Sequence, residues 1–263
     1  MITTKSLIAV VGALVVVGTA ACGTNASPSK PGPASETVTT PPATSAAATP
    51  SPSATPTVVP AATNACTDLG GTVGASQECG VHSATADYTI DMTFPTNYPD
   101  QKALSDLLIR ERDRFVQVVT APDQPPYSKA LDIKATTYRS AADGGTASVV
   151  LEEYGNYGGA HPVTFYNALN YDVAKKTPIT FDTLFKPGTD PVAVLDPIVK
   201  AEFEKRLQGL PIDDNLAGDK TYQSFALTDD AVIFFIDQGA WAISAAGAQQ
   251  FSIPRSELAS VLA

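Results

Sequence analysis

The sequence predicts an α+β fold, with antiparallel or mixed sheets and two main helices, placed behind a non-globular leader. Three observations predict it. Alternating apolar and polar residues, the period of a half-buried strand, recur from Asp87 onward. Two longer stretches, one from Gln101 and one from Pro191, carry apolar residues at helical spacing instead. The strands also come in groups, without the regular strand–helix alternation of a doubly wound sheet.

The first 65 residues contribute no fold. Lys5 supplies a short positive region, and Leu7 to Val17 is an apolar run of signal-peptide length, shorter than the about 20 residues that span a bilayer. Thr19-Ala20-Ala21-Cys22-Gly23 resembles a bacterial lipobox: small residues admit the peptidase, and the Cys22 thiol accepts a diacylglyceryl group. Residues 1–21 are therefore expected to be a lipoprotein signal peptide. Acylated Cys22, palmitate included, is expected to tie the exported protein to the lipid bilayer at the outer face of the plasma membrane. Residues 22–65 are rich in Pro, Ser, Thr and Ala, with Lys30 and Glu36 their only charges. Such a tract buries too little apolar surface to offset its ordering entropy, and is expected to be a disordered tether. At ~3.1 Å per residue it reaches on the order of 100 Å.

The chain holds three cysteines. With Cys22 acylated, Cys66 and Cys79 remain as a pair in an oxidising compartment. Their bridge would close a glycine-rich loop and stabilise the fold by ~3 kcal/mol in the chain-entropy model. A zinc or redox role needs further ligands or C-x-x-C spacing, which the sequence lacks.

Asp87 to Phe94 alternates with Tyr88, Ile90, Met92 and Phe94 on one face, and Pro95 ends the strand. From Asp100 a helix places Leu104, Leu107, Leu108, Phe115 and Val118 together, and the charge run Arg110 to Arg114 is expected on its solvated side. Ala130–Arg139 and Thr146–Tyr154 read as strands joined by the Asp-Gly turn at Ala142–Gly145. Val163–Asp172 alternates again, and Pro178–Phe185 is a short strand with a turn. Asp190-Pro191 opens a second helix through Leu207, which Asp196-Pro197 should kink or restart. Tyr222–Leu227 and Ala231–Ile236 form a hairpin, and Phe251–Pro254 leads to a terminal helix, Arg255–Leu262.

A formal charge of −10 and the lack of a Lys/Arg cluster in the folded part argue against nucleic acid as partner. A neutral or basic partner fits better. The stretch from Tyr154 to Pro162 packs three glycines, two tyrosines and His161 between two strands. One reading is a glycine turn with His161 hydrogen-bonded to backbone. The other is a surface groove in which Tyr154, Tyr157, His161 and Tyr166 bind a protein or glycan, since rigid aromatics supply contact area at low entropic cost. No Gly-x-Ser-x-Gly elbow or His-Glu-x-x-His motif occurs, and no cofactor or metal set is expected. The base of any esterase-type hydrolase would be His82 or His161, and His161 is the alternative carried forward.

Several motifs in order carry a resemblance: Cys66 with Cys79, Tyr98-Pro99-Asp100-Gln101-Lys102, Arg112-Asp113-Arg114-Phe115, Gly158-Gly159-Ala160-His161-Pro162, Pro178 to Leu184, and Tyr222 to Phe235. From Cys66 to Ala263 the chain resembles the family of the mycobacterial secreted immunogenic protein MPT-sixty-four. From Gly158 onward it is also similar to the domain of unknown function in RsiV-type anti-sigma factors. The resemblance implies a β-grasp-like α+β fold divided at 66–157 and 158–263, a cell-envelope setting, and an antigen-like binding module. Because some RsiV-type domains sense lysozyme, it also implies a basic protein partner, with a cell-wall glycan as the other candidate. The lipobox and long linker depart from that family's freely secreted form and favour a tethered one.

Overall fold

Helix α1 (Ala65–Asp68) opens the described part of the chain, and strands β1 (Thr72–Val73), β2 (Glu78–Ala84) and β3 (Tyr88–Pro95) follow it. The computed structural model describes residues 65–141, 145–207, 209 and 218–263. The leader, Cys22, the Pro/Ser/Thr-rich segment before residue 65 and turn residues 142–144 lie outside the described residues. Beyond β3 come helix α2 (Gln101–Val119) and strands β4 (Lys129–Ser140), β5 (Thr146–Asn156), β6 (Val163–Asp172) and β7 (Thr177–Ile179). The short helix α3 (Phe181–Leu184), helix α4 (Pro191–Leu207) and strands β8 (Phe225–Leu227), β9 (Ala231–Ile236) and β10 (Gln249–Pro254) complete the chain. The fold is α+β, as the sequence predicts.

Strands β1 to β7 form one mixed sheet in sequence order. Only β3 and β4 run parallel, because α2 carries the chain back between them as a crossover. Strands β8, β9 and β10 form a second, antiparallel sheet. The alternation in β3 holds: Ile90, Met92 and Phe94 are buried and face α2. Asp100 caps α2 by accepting the Ala103 N–H at 3.0 Å.

Four layers result. Helix α2 covers one face of the large sheet through Leu104, Leu108 and Phe115. On the other face, Val150 meets Ala226 and Phe235 of the small sheet. The far face of the small sheet, with Val232, Phe234 and Phe251, packs on Leu195, Val199 and Phe203 of α4. Strand β5 lies in the middle and is buried on both faces from Thr146 to Leu151, which is why its sequence reads as a nearly continuous apolar run. The Cys66–Cys79 disulfide is formed and ties α1 to β2.

Three local expectations change. Helix α4 is continuous through Pro197. The proline removes one backbone donor, but Leu195, Val199 and Phe203 still share one buried stripe, and that burial holds the helix together. Arg255–Leu262 is not a helix: residues 255–261 form a series of turns, and Leu262 bridges to Phe185. Its backbone is engaged elsewhere: Lys186 N–H donates to Val261 C=O at 2.8 Å, and Ala263 N–H to Leu184 C=O at 3.0 Å. The charge run of α2 is not all solvated, since Glu111 is 5% exposed. Position 111 is one turn from both Leu107 and Phe115, so the helix places it on the buried stripe.

Candidate functional site

Cross-strand register assembles a surface that no single stretch of sequence contains. On the face of the large sheet opposite α2, one row runs His82, Asp91, Asp132, Tyr154, Thr164 across β2 to β6. The next row runs Gly80, Thr93, Lys134, Glu152, Tyr166. The small sheet covers this face where Tyr138, Val150 and Ala168 meet it. The rows of His82, Asp91, Lys134, Glu152 and Tyr154 lie beyond that cover and are exposed.

Within this surface His82 Nδ1 lies 2.6 Å from Asp91 Oδ1. The pair is open to solvent and adds little stability. Its chemical consequence is orientation: a carboxylate on Nδ1 fixes the ring and turns Nε2 outward. A cleft of about 440 Å³ beside it is lined by Thr72, Gly80, His82 and Thr93. Lys134 Nζ sits 3.3 Å from Asp132 Oδ2. Across the open rows, Asp91, Asp132 and Glu152 face a single lysine and a histidine, so the surface is acidic.

The four residues singled out around the β5–β6 turn occupy three settings. Tyr154 is 42% exposed on the open face. Tyr166 is on the same face but half buried, its ring 5.2 Å from that of Phe235, and burial pushes its hydroxyl up to about 12. Tyr157 lies on the opposite face, its ring 5.5 Å from Phe115 and its hydroxyl donating to Glu153 Oε1 at 3.3 Å. His161 is exposed in the turn and has no hydrogen-bond partner among the described residues. Glycine is required twice here. Gly158 sits at φ +80, and a Cβ on Gly155 would come within 2.4 Å of the Tyr157 ring.

Under that turn is a charge cluster that the sequence does not announce. Glu153 of β5 is fully buried on the α2 face. Arg114 Nη2 reaches Glu153 Oε1 at 3.0 Å and Glu111 Oε2 at 2.9 Å, and its guanidinium stacks 5.9 Å over Phe165. Burial raises the Glu153 pKa, and Arg114 opposes that rise. Burial also raises the pKa values of Tyr157 and of Asp237, which lies just after β9. Arg114 therefore serves two buried carboxylates, and Arg110 Nε lies 3.4 Å from the other oxygen of Glu111.

Beyond its pairing with β7, the edge of β6 is capped at Thr164 and Tyr166 by side chains and by the Gln238 N–H, which donates to Thr164 C=O at 3.0 Å. Thr164 N–H donates to Gln238 Oε1 at 3.0 Å, and Tyr166 N–H to Asp237 Oδ1 at 2.7 Å. Tyr166 C=O accepts from Ser224 Oγ at 2.7 Å. These caps block pairing with another chain. The sequence signal that would have revealed the His82–Asp91 pair was the alternation of Cys79 and Val81, which marks β2 as the hairpin partner of β3. The Glu111–Arg114–Glu153 cluster had no local signal, since its members lie on α2 and β5.

Known proteins resemble this chain in sequence. The model of a family described as "Protein of unknown function (DUF3298)" matches residues 182–256. The chain is 43% identical over 198 residues to "Esterase Rv3036c" of Mycobacterium tuberculosis, covering 73% of this chain and 86% of that protein. It is 41% identical over 203 residues to "Immunogenic protein MPT64" of the same organism, covering 75% and 88% respectively. A solved DUF3298 family protein from Pseudomonas aeruginosa aligns with a TM-score of 0.49 at 17% identity, over 71% of this chain and 93% of that one. At the identity and coverage shared with the two mycobacterial proteins, this chain belongs to the family of the immunogenic protein MPT64 and the esterase Rv3036c, and carries the DUF3298 segment in its C-terminal half.

Proposed function

We propose that the protein is an exported, lipid-anchored envelope protein whose folded part is a binding module for a basic protein. The observation that carries the reading is the uncovered, acidic face of the large sheet. There Tyr154 stands exposed between Asp132 and Thr164, with Asp91 and Glu152 beside it. A rigid aromatic among carboxylates supplies contact area and steers a cationic partner. The immunogenic relatives support export, and among the described residues no helix is long and apolar enough to cross a membrane. Anchoring rests on acylation of Cys22. Intact mass of membrane-extracted protein should carry the added acyl chains, and a free Cys22 thiol would refute the anchor.

The binding test uses lysozyme as a basic probe in surface plasmon resonance. Tyr154→Ala and Asp132→Asn should each weaken capture by roughly tenfold or more, about 1.4 kcal/mol, without lowering the melting temperature. Undiminished capture by both variants would sink the reading. Tyr157 is unsuited to this test because its ring is part of the core.

A second reading, ester hydrolysis, is favoured by one specific feature, the His82–Asp91 pair beside an open cleft, together with the esterase relative. In this reading His82 supplies the base, because His161 has no orienting carboxylate among the described residues. Threonines 72 and 93 share the face of the sheet with it and are the candidate hydroxyl nucleophiles. p-Nitrophenyl acetate turnover that survives His161→Ala and disappears in His82→Ala would establish it. Turnover unchanged in His82→Ala would exclude it.

A further inference from the structure

Strand β6 has one rung of its open edge left without a partner among the described residues. Pro178 lacks an N–H, so Tyr171↔Pro178 is the non-bonded pair of the β6–β7 ladder, and Asn170↔Ile179 is the bonded one. The N–H and C=O of Asn170, and of every second residue before it, therefore point to this edge. Asn170 is paired with Ile179, and Tyr166 and Thr164 are capped by Asp237, Ser224 and Gln238. Between them, Ala168 points its N–H and C=O the same way and meets no partner among the described residues. The ladder stops there because the chain turns into α3 after Ile179, so no β7 residue reaches Ala168.

The free rung opens into a cavity of about 270 Å³ that Ala168 itself lines. A second unpaired group adjoins it. Asn170 is 4% exposed, and its Nδ2 donates to Phe225 C=O at 2.8 Å while its Oδ1 has no partner among the described residues. Thr180, Gln223 and Ser224 add hydroxyl and carboxamide groups at the wall, and Phe181 and Phe225 add apolar surface. No residue lining the cavity is charged, although the chain carries a formal charge of −10.

We propose that this notch binds an uncharged ligand through a secondary amide. A ligand C=O accepts from Ala168 N–H, and its N–H donates to Ala168 C=O or to Asn170 Oδ1, completing the rung as a strand would. The absence of charge excludes a phosphate, a free carboxylate or an amine as the recognised group, because desolvating an ion without a counter-charge is costly. The closed rungs on either side leave room for one amide and not for a strand. An acetamido sugar and a capped amino acid both present such a group. The site is separate from the open sheet face and stands or falls independently of it.

The experiment is a titration of the ¹⁵N-labelled full chain, solubilised in detergent, with two probes: N,N′-diacetylchitobiose and N-acetyl-alanine methylamide. At least one should shift the amide signals of Ala168, Asn170, Thr180 and Gln223, and which of the two does so identifies the source of the amide. The de-acetylated disaccharide should not shift them. Gln223→Trp, at an exposed position on the cavity wall, should weaken binding by at least about tenfold. Ala168→Pro removes the donor on the open edge alone and should abolish binding. If Ala168→Pro does not fold, Gln223→Trp carries the test. Absence of shifts with both probes, equal binding of the de-acetylated sugar, or unchanged binding in Gln223→Trp would each overturn the proposal. Tyr154→Ala should leave this binding intact.

Discussion

Replacing Arg114 by methionine removes the cation shared by two buried carboxylates and keeps the length of the side chain. Glu153 is fully buried and Glu111 is 5% exposed, and Arg114 Nη2 contacts them at 3.0 and 2.9 Å. Breaking a fully buried ion pair by deleting one partner costs about 3–5 kcal/mol. The Arg114 side chain is itself half exposed, so water screens part of the interaction and the expected loss is about 2–3 kcal/mol. For a domain of this size that lowers the melting temperature by roughly 5–10 °C.

The pH dependence gives the sharper test. Burial already holds the Glu153 pKa above its unfolded value, and Arg114 restrains it first, with the Tyr157 hydroxyl adding to that restraint. Without Arg114 the folded pKa rises further. A carboxylate with a raised folded pKa favours the fold when protonated, so its penalty is absent below the unfolded pKa. The penalty grows as pH rises through the folded pKa. The deficit of Arg114→Met should therefore be small near about pH 4 and full near about pH 8, and Glu153→Gln in the same chain should recover most of it. Urea melts across this range decide the matter. A deficit independent of pH, or a double variant no more stable than Arg114→Met, would refute the account of the cluster.

Three further outcomes follow from the same geometry. Cys66→Ala with Cys79→Ala opens a loop of sequence separation 13, which the chain-entropy relation sets at about 3 kcal/mol. A urea midpoint unchanged by the double substitution would contradict it. Gly155→Ala drives a Cβ to within 2.4 Å of the Tyr157 ring and should cost about 1–3 kcal/mol by overpacking; Tyr157→Ala in the same chain should relieve the clash, as a double-mutant cycle would show. Asp237→Ala removes the acceptor that Tyr166 N–H meets at 2.7 Å. Hydrogen exchange at Tyr166 should quicken roughly tenfold or more, about 1.4 kcal/mol of lost local protection, while amides in the centre of β5 keep their rates.

Much of the scaffold is legible in the chain because local patterns suffice for it. The period-2 alternation of Tyr88 to Phe94 and the helical spacing of Leu104, Leu108 and Phe115 follow from backbone geometry alone, and both hold. Turn chemistry also reads through: Gly158 takes the positive φ that its stretch requires. The terminal helix and a restart at Pro197 are not found, for a common reason. Propensity and breaker rules weigh a segment by itself, whereas contacts with residues 184–186 and with the α4 stripe decide these two segments.

The sequence by itself determined the α+β class, the faces of the main strands and helices, and the Cys66–Cys79 pair. It also singled out Tyr154, Tyr157, His161 and Tyr166 through their setting between two strands. Only the tertiary structure decided that Tyr154 and Tyr157 look in opposite directions, that His82 stands opposite Asp91, that Glu111 and Glu153 share Arg114, and that the rung at Ala168 has no partner among the described residues. The physical reason is common to all four. Alternation states which residues share a face, but cross-strand register and layer packing determine which partners lie opposite them and which face is covered.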